Sequence, residues 1–193
     1  MVDIEHIRYD NGISTAIYIL KNVISPEEAE DIRTVIDNAA TDRRPFIKNE
    51  NNVSYWCMKV DEVQITSVRE NIIKHLNQIA DVMETNTGLP SHYNHESYVE
   101  LRKIDDATKG HVDSPVNDDK IDTIHKNIRL FSTITALNSD YEGGEICFPI
   151  QGVNVKLQTG DVIIFPPYWT HPHYTNKLNG TFRYTITAWL CKI

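Results

Sequence analysis

Thr181-Phe182-Arg183-Tyr184-Thr185-Ile186-Thr187-Ala188-Trp189-Leu190-Cys191 alternates in character along its length. In an extended chain, residues two apart share a face. Arg183, Thr185, Thr187, Trp189 and Cys191 then lie on one side, and Phe182, Tyr184, Ile186, Ala188 and Leu190 on the other. The second set is apolar and suits a hydrophobic core. The first holds a guanidinium, two hydroxyls and an indole, an unusual interior face unless something polar lies against it. A buried guanidinium is costly without an anion, and this strand carries no carboxylate. A dicarboxylic ligand would satisfy it with a bidentate pair, the hydroxyls adding donors.

Upstream, short apolar or alternating runs repeat: Ser97–Arg102, the residues around His111–Asp113, Ile128–Leu137, Glu145–Phe148, Val153–Leu157 and Asp161–Phe165. Turn residues separate them, as in Asp140-Tyr141-Glu142-Gly143-Gly144, Gln151-Gly152, Thr159-Gly160-Asp161 and Asn179-Gly180. The first half reads differently. Ile17–Leu20 fits a strand, and so does Val53–Val60. Ser25-Pro26-Glu27-Glu28 is a capping box with Pro at the first helical position, and Ala29, Ile32, Val35, Ile36 and Ala39 follow at helical spacing. This predicts a helix over 26–40. A second helix, capped by Thr66 or Ser67, carries Val68, Ile72, Ile73, Leu76, Ile79, Ala80 and Met83 and ends at Gly88 and Pro90. Helices first and many strands later predict an α+β fold. The strands form a barrel or two-sheet jelly roll, and the helices lie outside it.

The 193 residues suit one domain with a substantial core. We divide it into helical support over about 1–96 and a strand region over about 97–193. The net charge of -8 argues against nonspecific binding to nucleic acid or anionic membrane. No apolar run approaches the roughly 20 residues that span a bilayer, and the first residues lack a signal-peptide core. Cys57, Cys147 and Cys191 are scattered and show no zinc or disulfide pattern, consistent with a reducing cytoplasmic setting.

His111-Val112-Asp113 adds metal chemistry. On an extended run its imidazole and carboxylate converge, giving two thirds of a 2-His-1-carboxylate face for non-haem Fe(II). Alone, the pair is a weak signal, because H-x-D arises by chance, and it reads first as a surface histidine beside a loop aspartate. A third ligand would come from a distant strand, with His171 and His173 as candidates; Arg183 follows them by twelve and ten residues. His75 reads as structural, and the His92/His95 pair as surface or packing. Arg43 and Arg44 lie in a polar loop over 41–52. Trp56 reads as core or cleft wall. The 114–127 segment, with Asp118, Asp119, Asp122 and His125, reads as an acidic loop over the site mouth.

The ordered set H-x-D, D-Y-E-G-G-E with F-P close behind, G-D-V-I-I-F-P, P-H, and G-x-x-R-Y-x-x-x-x-W resembles the prolyl 4-hydroxylase-like family of Fe(II)/2-oxoglutarate dioxygenases. The likeness covers residues 97 to 191. It implies a double-stranded β-helix with the active site between its sheets, His111, Asp113 and His173 as metal ligands, and Arg183 on the distal carboxylate of 2-oxoglutarate. Thr187 and Trp189 match positions lining the co-substrate pocket, and His171 becomes a supporting or substrate-side group. The implied chemistry uses Fe(II), 2-oxoglutarate and O2, with ascorbate as an accessory reductant. It hydroxylates a proline-containing peptide or protein and releases succinate and CO2. A free amino acid or other small molecule is the alternative substrate, and a non-catalytic binding module is the rival reading. The chain departs from the family where tyrosines are usual: Leu101-Arg102-Lys103 and Thr108 stand there, and Tyr98 is the nearest tyrosine offered to the pocket.

Overall fold

The computed structural model describes residues 3–41, 47–48, 54–93, 99–114 and 128–192. The first half comprises β1 (Asp3–Arg8), β2 (Ser14–Lys21), α1 (Pro26–Thr41), β3 (Ile47–Lys48), β4 (Ser54–Lys59), α2 (Thr66–Thr87) and β5 (Ser91–Tyr93). The second comprises β6 (Val99–Ile104), β7 (Arg129–Ala136), β8 (Ile146–Phe148), β9 (Val153–Val155), β10 (Val162–Phe165), β11 (Tyr174–Thr175) and β12 (Arg183–Lys192). Among the described residues the strands form two antiparallel sheets. The larger runs β1-β2-β10-β7-β12-β6-β4-β3, with β5 paired to the end of β12; the smaller runs β11-β8-β9. This is the expected α+β architecture with a jelly-roll core.

Alternation along β12 decides how the layers stack. Tyr184, Ile186, Ala188 and Leu190 join Trp56, Met58, Val99 and Leu101 against Ile32 and Ile36 of α1 and Ile72, Leu76, Ile79 and Met83 of α2. Each fully buried aliphatic side chain here contributes about 1.5–3 kcal/mol by leaving water. On the opposite face, Ile17, Ile19, Ala136, Ile163 and Phe165 of the large sheet meet Ile146, Phe148 and Val155 of the small one. The site lies between the sheets on this second side.

Ser25 and Glu28 make the predicted box, each backbone N–H bonding the other's side chain at 3.0 and 3.2 Å. His75 is structural as expected, its Nε2 lying 3.2 Å from Glu28 Oε1 and tying α2 to α1. α2 ends in the left-handed Gly88, whose N–H reaches Glu84 O at 2.8 Å. Its start differs from expectation. Thr66 is already helical, and Ile65 occupies the cap position with no side-chain hydrogen bond. No strand forms around His111–Asp113; the run touches its neighbour through one isolated bridge. Phe182 precedes β12 and is exposed, its ring beneath Lys103. Among the described residues no helix is long and apolar enough to cross a membrane. Tyr98, His95 and most of the 41–52 and 114–127 loops, with Arg43, Arg44 and His125, lie outside the described residues.

Candidate active site

β12 lies between β6 and β7, and its register sets the pocket wall. Arg183 pairs with Ile104, Thr185 with Arg102 and Ala136, and Thr187 with Glu100 and Ile134. Asn138 anchors the start of β12. Its Oδ1 accepts the Tyr184 N–H at 2.8 Å, and its Nδ2 donates to Phe182 O at 2.9 Å and to Asp140 Oδ1 at 2.7 Å. The D-Y-E-G-G-E turn is thereby held against Arg183. Gly143 and Gly144 take φ of 72° and 68°. A Cβ on Gly143 would stand 2.0 Å from Lys177 O, and one on Gly144 would stand 2.7 Å from Leu178 Cδ2. Only glycine fits this left-handed, close-packed path.

The path turns the Gly144 carbonyl onto Arg183, whose Nη1 donates to it at 2.6 Å. Arg183 is 5% exposed, and its Nε has no partner among the described residues. Burial pulls this guanidinium below its ordinary proton affinity; Tyr141 opposes the effect and Arg102 adds to it. No carboxylate is bonded to it among the described residues. Sequence alternation anticipates this situation: a buried cation with donors to spare.

His111 and His173 lie opposite each other on two chain segments. His111 N donates to His173 O at 3.0 Å, and His173 N donates to His111 O at 2.9 Å. Their rings lie 4.4 Å apart. His111 Nε2 is 3.4 Å and His173 Nε2 is 3.8 Å from Asp113 Oδ1. The three donor atoms all fall within 4.8 Å of one another. Metal bonds of about 2.1 Å at near right angles place neighbouring ligands about 3 Å apart, so one ion would draw these three donors somewhat closer together.

The surroundings leave the right atoms free. His111 Nδ1 lies 2.8 Å from Lys109 O and His173 Nδ1 lies 3.1 Å from His171 O, so in the neutral rings each Nδ1 carries the proton and each Nε2 keeps its lone pair. Ser132 Oγ donates to Asp113 Oδ2 at 2.6 Å, leaving Oδ1 free. Arg129 Nη1 donates to the Asp113 carbonyl. Burial pushes the Asp113 carboxyl up, but His111, His173 and Ser132 outweigh it and hold it well below the carboxylate range. Burial pulls His173 down against the pull of Asp113, favouring the neutral imidazole.

A cavity of about 270 Å³ joins this trio to Arg183. Its wall includes Tyr55, Arg102, Thr108, Ile134, Thr185 and Thr187. The expected residues His111, Asp113, His173, Arg183 and Thr187 therefore meet in one space. His171 does not join them. Its Nε2 lies 2.8 Å from Thr15 O and its Nδ1 lies 2.9 Å from Thr170 Oγ1, so both nitrogens are engaged. Trp189 shares the face but sits further along, its ring under Arg129 at 4.1 Å and away from the cavity wall. Trp56 is core, 1% exposed, and Trp169 is 75% exposed. Thr185 stands in the wall, as the alternation of its strand indicates. Tyr55 and Arg102 are wall residues that sequence reasoning missed.

Solved structures with this architecture exist. The chain is similar to a viral collagen prolyl hydroxylase of Paramecium bursaria Chlorella virus-1 in a 2-oxoglutarate complex, at 15% identity and a TM-score of 0.69, over 92% of this chain and 97% of that one. It is similar to a prolyl-4-hydroxylase of Pseudomonas putida at 13% identity and a TM-score of 0.67, over 92% and 93%. A third is a prolyl hydroxylase of Trichoplax adhaerens in complex with a hypoxia inducible factor oxygen degradation domain peptide fragment, at 16% identity and a TM-score of 0.62, over 92% and 84%. No family model and no curated protein matches the sequence. At these identities the likeness is one of fold: the chain is built on the same jelly-roll fold as these hydroxylases.

Proposed function

We propose that the protein is an Fe(II)- and 2-oxoglutarate-dependent dioxygenase that hydroxylates a prolyl residue of a peptide or protein. The observation that carries this reading is the single cavity with His111, Asp113 and His173 at one end and a buried, under-partnered Arg183 at the other. The metal and 2-oxoglutarate, when bound, supply with O2 the oxidising power to insert one oxygen into an unactivated C–H bond, with release of succinate and CO2.

The chain's own residues hold and orient. His111 and His173 present Nε2, and Asp113 presents Oδ1. The Lys109 and His171 carbonyls and the Ser132 hydroxyl fix these groups in direction. These three residues would hold the metal and leave further positions on it for reactants. Arg183 receives the distal carboxylate, which satisfies its buried guanidinium. Thr185 and Thr187 line the same cavity. Phe148 and Phe165 pack against the His173 ring, with centroids at 5.7 and 4.7 Å, and shield that side from water. Likeness in fold to a hydroxylase solved with a bound peptide fragment supports a peptide substrate.

The test is succinate release from 2-oxoglutarate, screened over proline-containing peptides, protein fragments and free amino acids, with mass spectrometry for the gain of one oxygen. We expect substrate-dependent succinate and an oxygenated prolyl peptide. Oxygenation of a free amino acid alone would replace the peptide assignment. Absence of any 2-oxoglutarate turnover by the iron-loaded protein would contradict the dioxygenase reading.

A further inference from the structure

The cavity contains a second guanidinium that the reading above does not use. Arg102 projects from β6 beside Arg183: it pairs with Thr185, and its neighbour two residues on, Ile104, pairs with Arg183. Diagonal positions on adjacent strands place side chains about 7–8 Å apart at their origins, so the two arginines flank one volume.

Arg102 is held in a fixed pose. Its Nε and Nη2 both donate to a single oxygen, Glu100 Oε2, at 2.9 and 2.7 Å. Lys59 Nζ reaches the other oxygen, Oε1, at 3.5 Å. The Tyr55 ring lies under the guanidinium at 5.2 Å. A guanidinium has five N–H donors in a planar fork. Two are spent on Glu100, and no protein partner engages Nη1 among the described residues. The Nη1/Nη2 edge, which suits a carboxylate, therefore remains.

The neighbours of Arg102 on β6 point elsewhere. Leu101 is core, and Lys103 turns away to Asp37 at 2.7 Å. Thr108 lines the wall and donates its N–H to Thr175 Oγ1 at 2.8 Å. Apart from the histidines, the charged lining groups are two guanidiniums and the Asp113 carboxylate. Glu100 balances Arg102, so with a divalent ion added it is Arg183 and the ion that call for an anionic ligand, and the open Nη1/Nη2 edge of Arg102 offers that ligand further donors.

We propose that Arg102 is a positioning residue that holds the metal-proximal carboxylate of the bound 2-oxo acid, while Arg183 holds the distal one. The proposal rests on the dioxygenase reading, and the test separates the two. The Mn(II)-loaded full chain is titrated calorimetrically with 2-oxoglutarate and with oxalate, which keeps the metal-proximal carboxylate, has a second carboxylate in place of the ketone, and has no distal arm. Arg102→Gln is expected to weaken both ligands by the same factor, about tenfold or more given the strength of charge-assisted pairs, without weakening Mn(II) itself. Arg183→Gln is expected to weaken 2-oxoglutarate and spare oxalate. Should Arg102→Gln lose Mn(II) binding, Arg102→Lys carries the test: it keeps the charge but not the planar fork, and weaker oxalate binding at unchanged Mn(II) affinity supports the proposal. Unchanged oxalate affinity in the variant that retains Mn(II) overturns it. Wild-type Mn(II) protein that takes up no 2-oxoglutarate contradicts the dioxygenase reading instead.

Discussion

His111 and His173 form an isolated antiparallel bridge, each donating its backbone N–H to the other's carbonyl, at 3.0 and 2.9 Å. The separation of the two imidazoles is thus set by main chain, before any ion is considered. In an antiparallel pair that exchanges both bonds the side chains emerge on one side. Asp113 joins them from two residues along the same segment.

His171 and His173 consequently differ in what their loss does. We expect His173→Ala to abolish Mn(II) binding measured by calorimetry. His171→Ala should bind Mn(II) as the wild type does. It should melt lower, because the buried Thr15 carbonyl loses its donor, a loss of about 1–3 kcal/mol. The reverse pattern would make His171 the ligand.

Arg183 is a buried cation without a matching anion among the described residues. Replacing it by an apolar group of similar volume removes the desolvation cost of the charge but leaves the buried Gly144 carbonyl without its donor. These effects oppose each other, so Arg183→Met should melt close to wild type when no ligand is present. The rise in Tm on adding 2-oxoglutarate to Mn(II)-loaded protein should disappear, since a ligand stabilises only through its binding to the folded state. A variant that keeps the full ligand-induced rise would show that Arg183 is not the anchor.

Gly144 both accepts from Arg183 and occupies left-handed backbone against Leu178. Gly144→Ala forces a displacement of the turn, with a backbone cost of about 1–3 kcal/mol. We expect weaker 2-oxoglutarate binding with Mn(II) affinity unchanged, because the strain acts at the Arg183 end of the cavity. Loss of Mn(II) affinity alone would place the coupling elsewhere.

Glu100 gives a pH signature. Burial pushes its carboxyl up, yet Arg102 and Lys59 outweigh burial and hold it below its ordinary value of 4.5. A folded-state value below the unfolded one stabilises the fold above that ordinary value, and the contribution fades as pH falls through the depressed one. Denaturant melts across acid pH should show wild type exceeding Glu100→Gln near neutrality, with the gap closing on acidification. A gap independent of pH would assign the difference to packing.

Much of this was legible before the fold was seen. The alternation of residues 182–191 separated the helix-facing side of β12 from the pocket side, and the box at Ser25–Glu28 placed α1. What escaped depends on partners far away in sequence. Arg102 and Tyr55 reach the pocket because β6 pairs with both β12 and β4, a register no local pattern encodes. β1 was not foreseen, because its two isoleucines serve different cores: Ile4 packs on the helix side and Ile7 between the sheets, with a register shift between Ile7 and Arg8. Trp189 shares the face of Thr187 as the spacing demands, but it lies under Arg129. Alternation gives the side of a sheet and not the distance along it.

The most direct measurement of the central claim is the visible spectrum of anaerobic protein with Fe(II), before and after 2-oxoglutarate is added. The account predicts a weak charge-transfer band that requires both additions, vanishes in His173→Ala and Asp113→Ala, and in Arg183→Ala needs far more 2-oxoglutarate to appear. Properly iron-loaded wild-type protein that shows no band at saturating 2-oxoglutarate would contradict it.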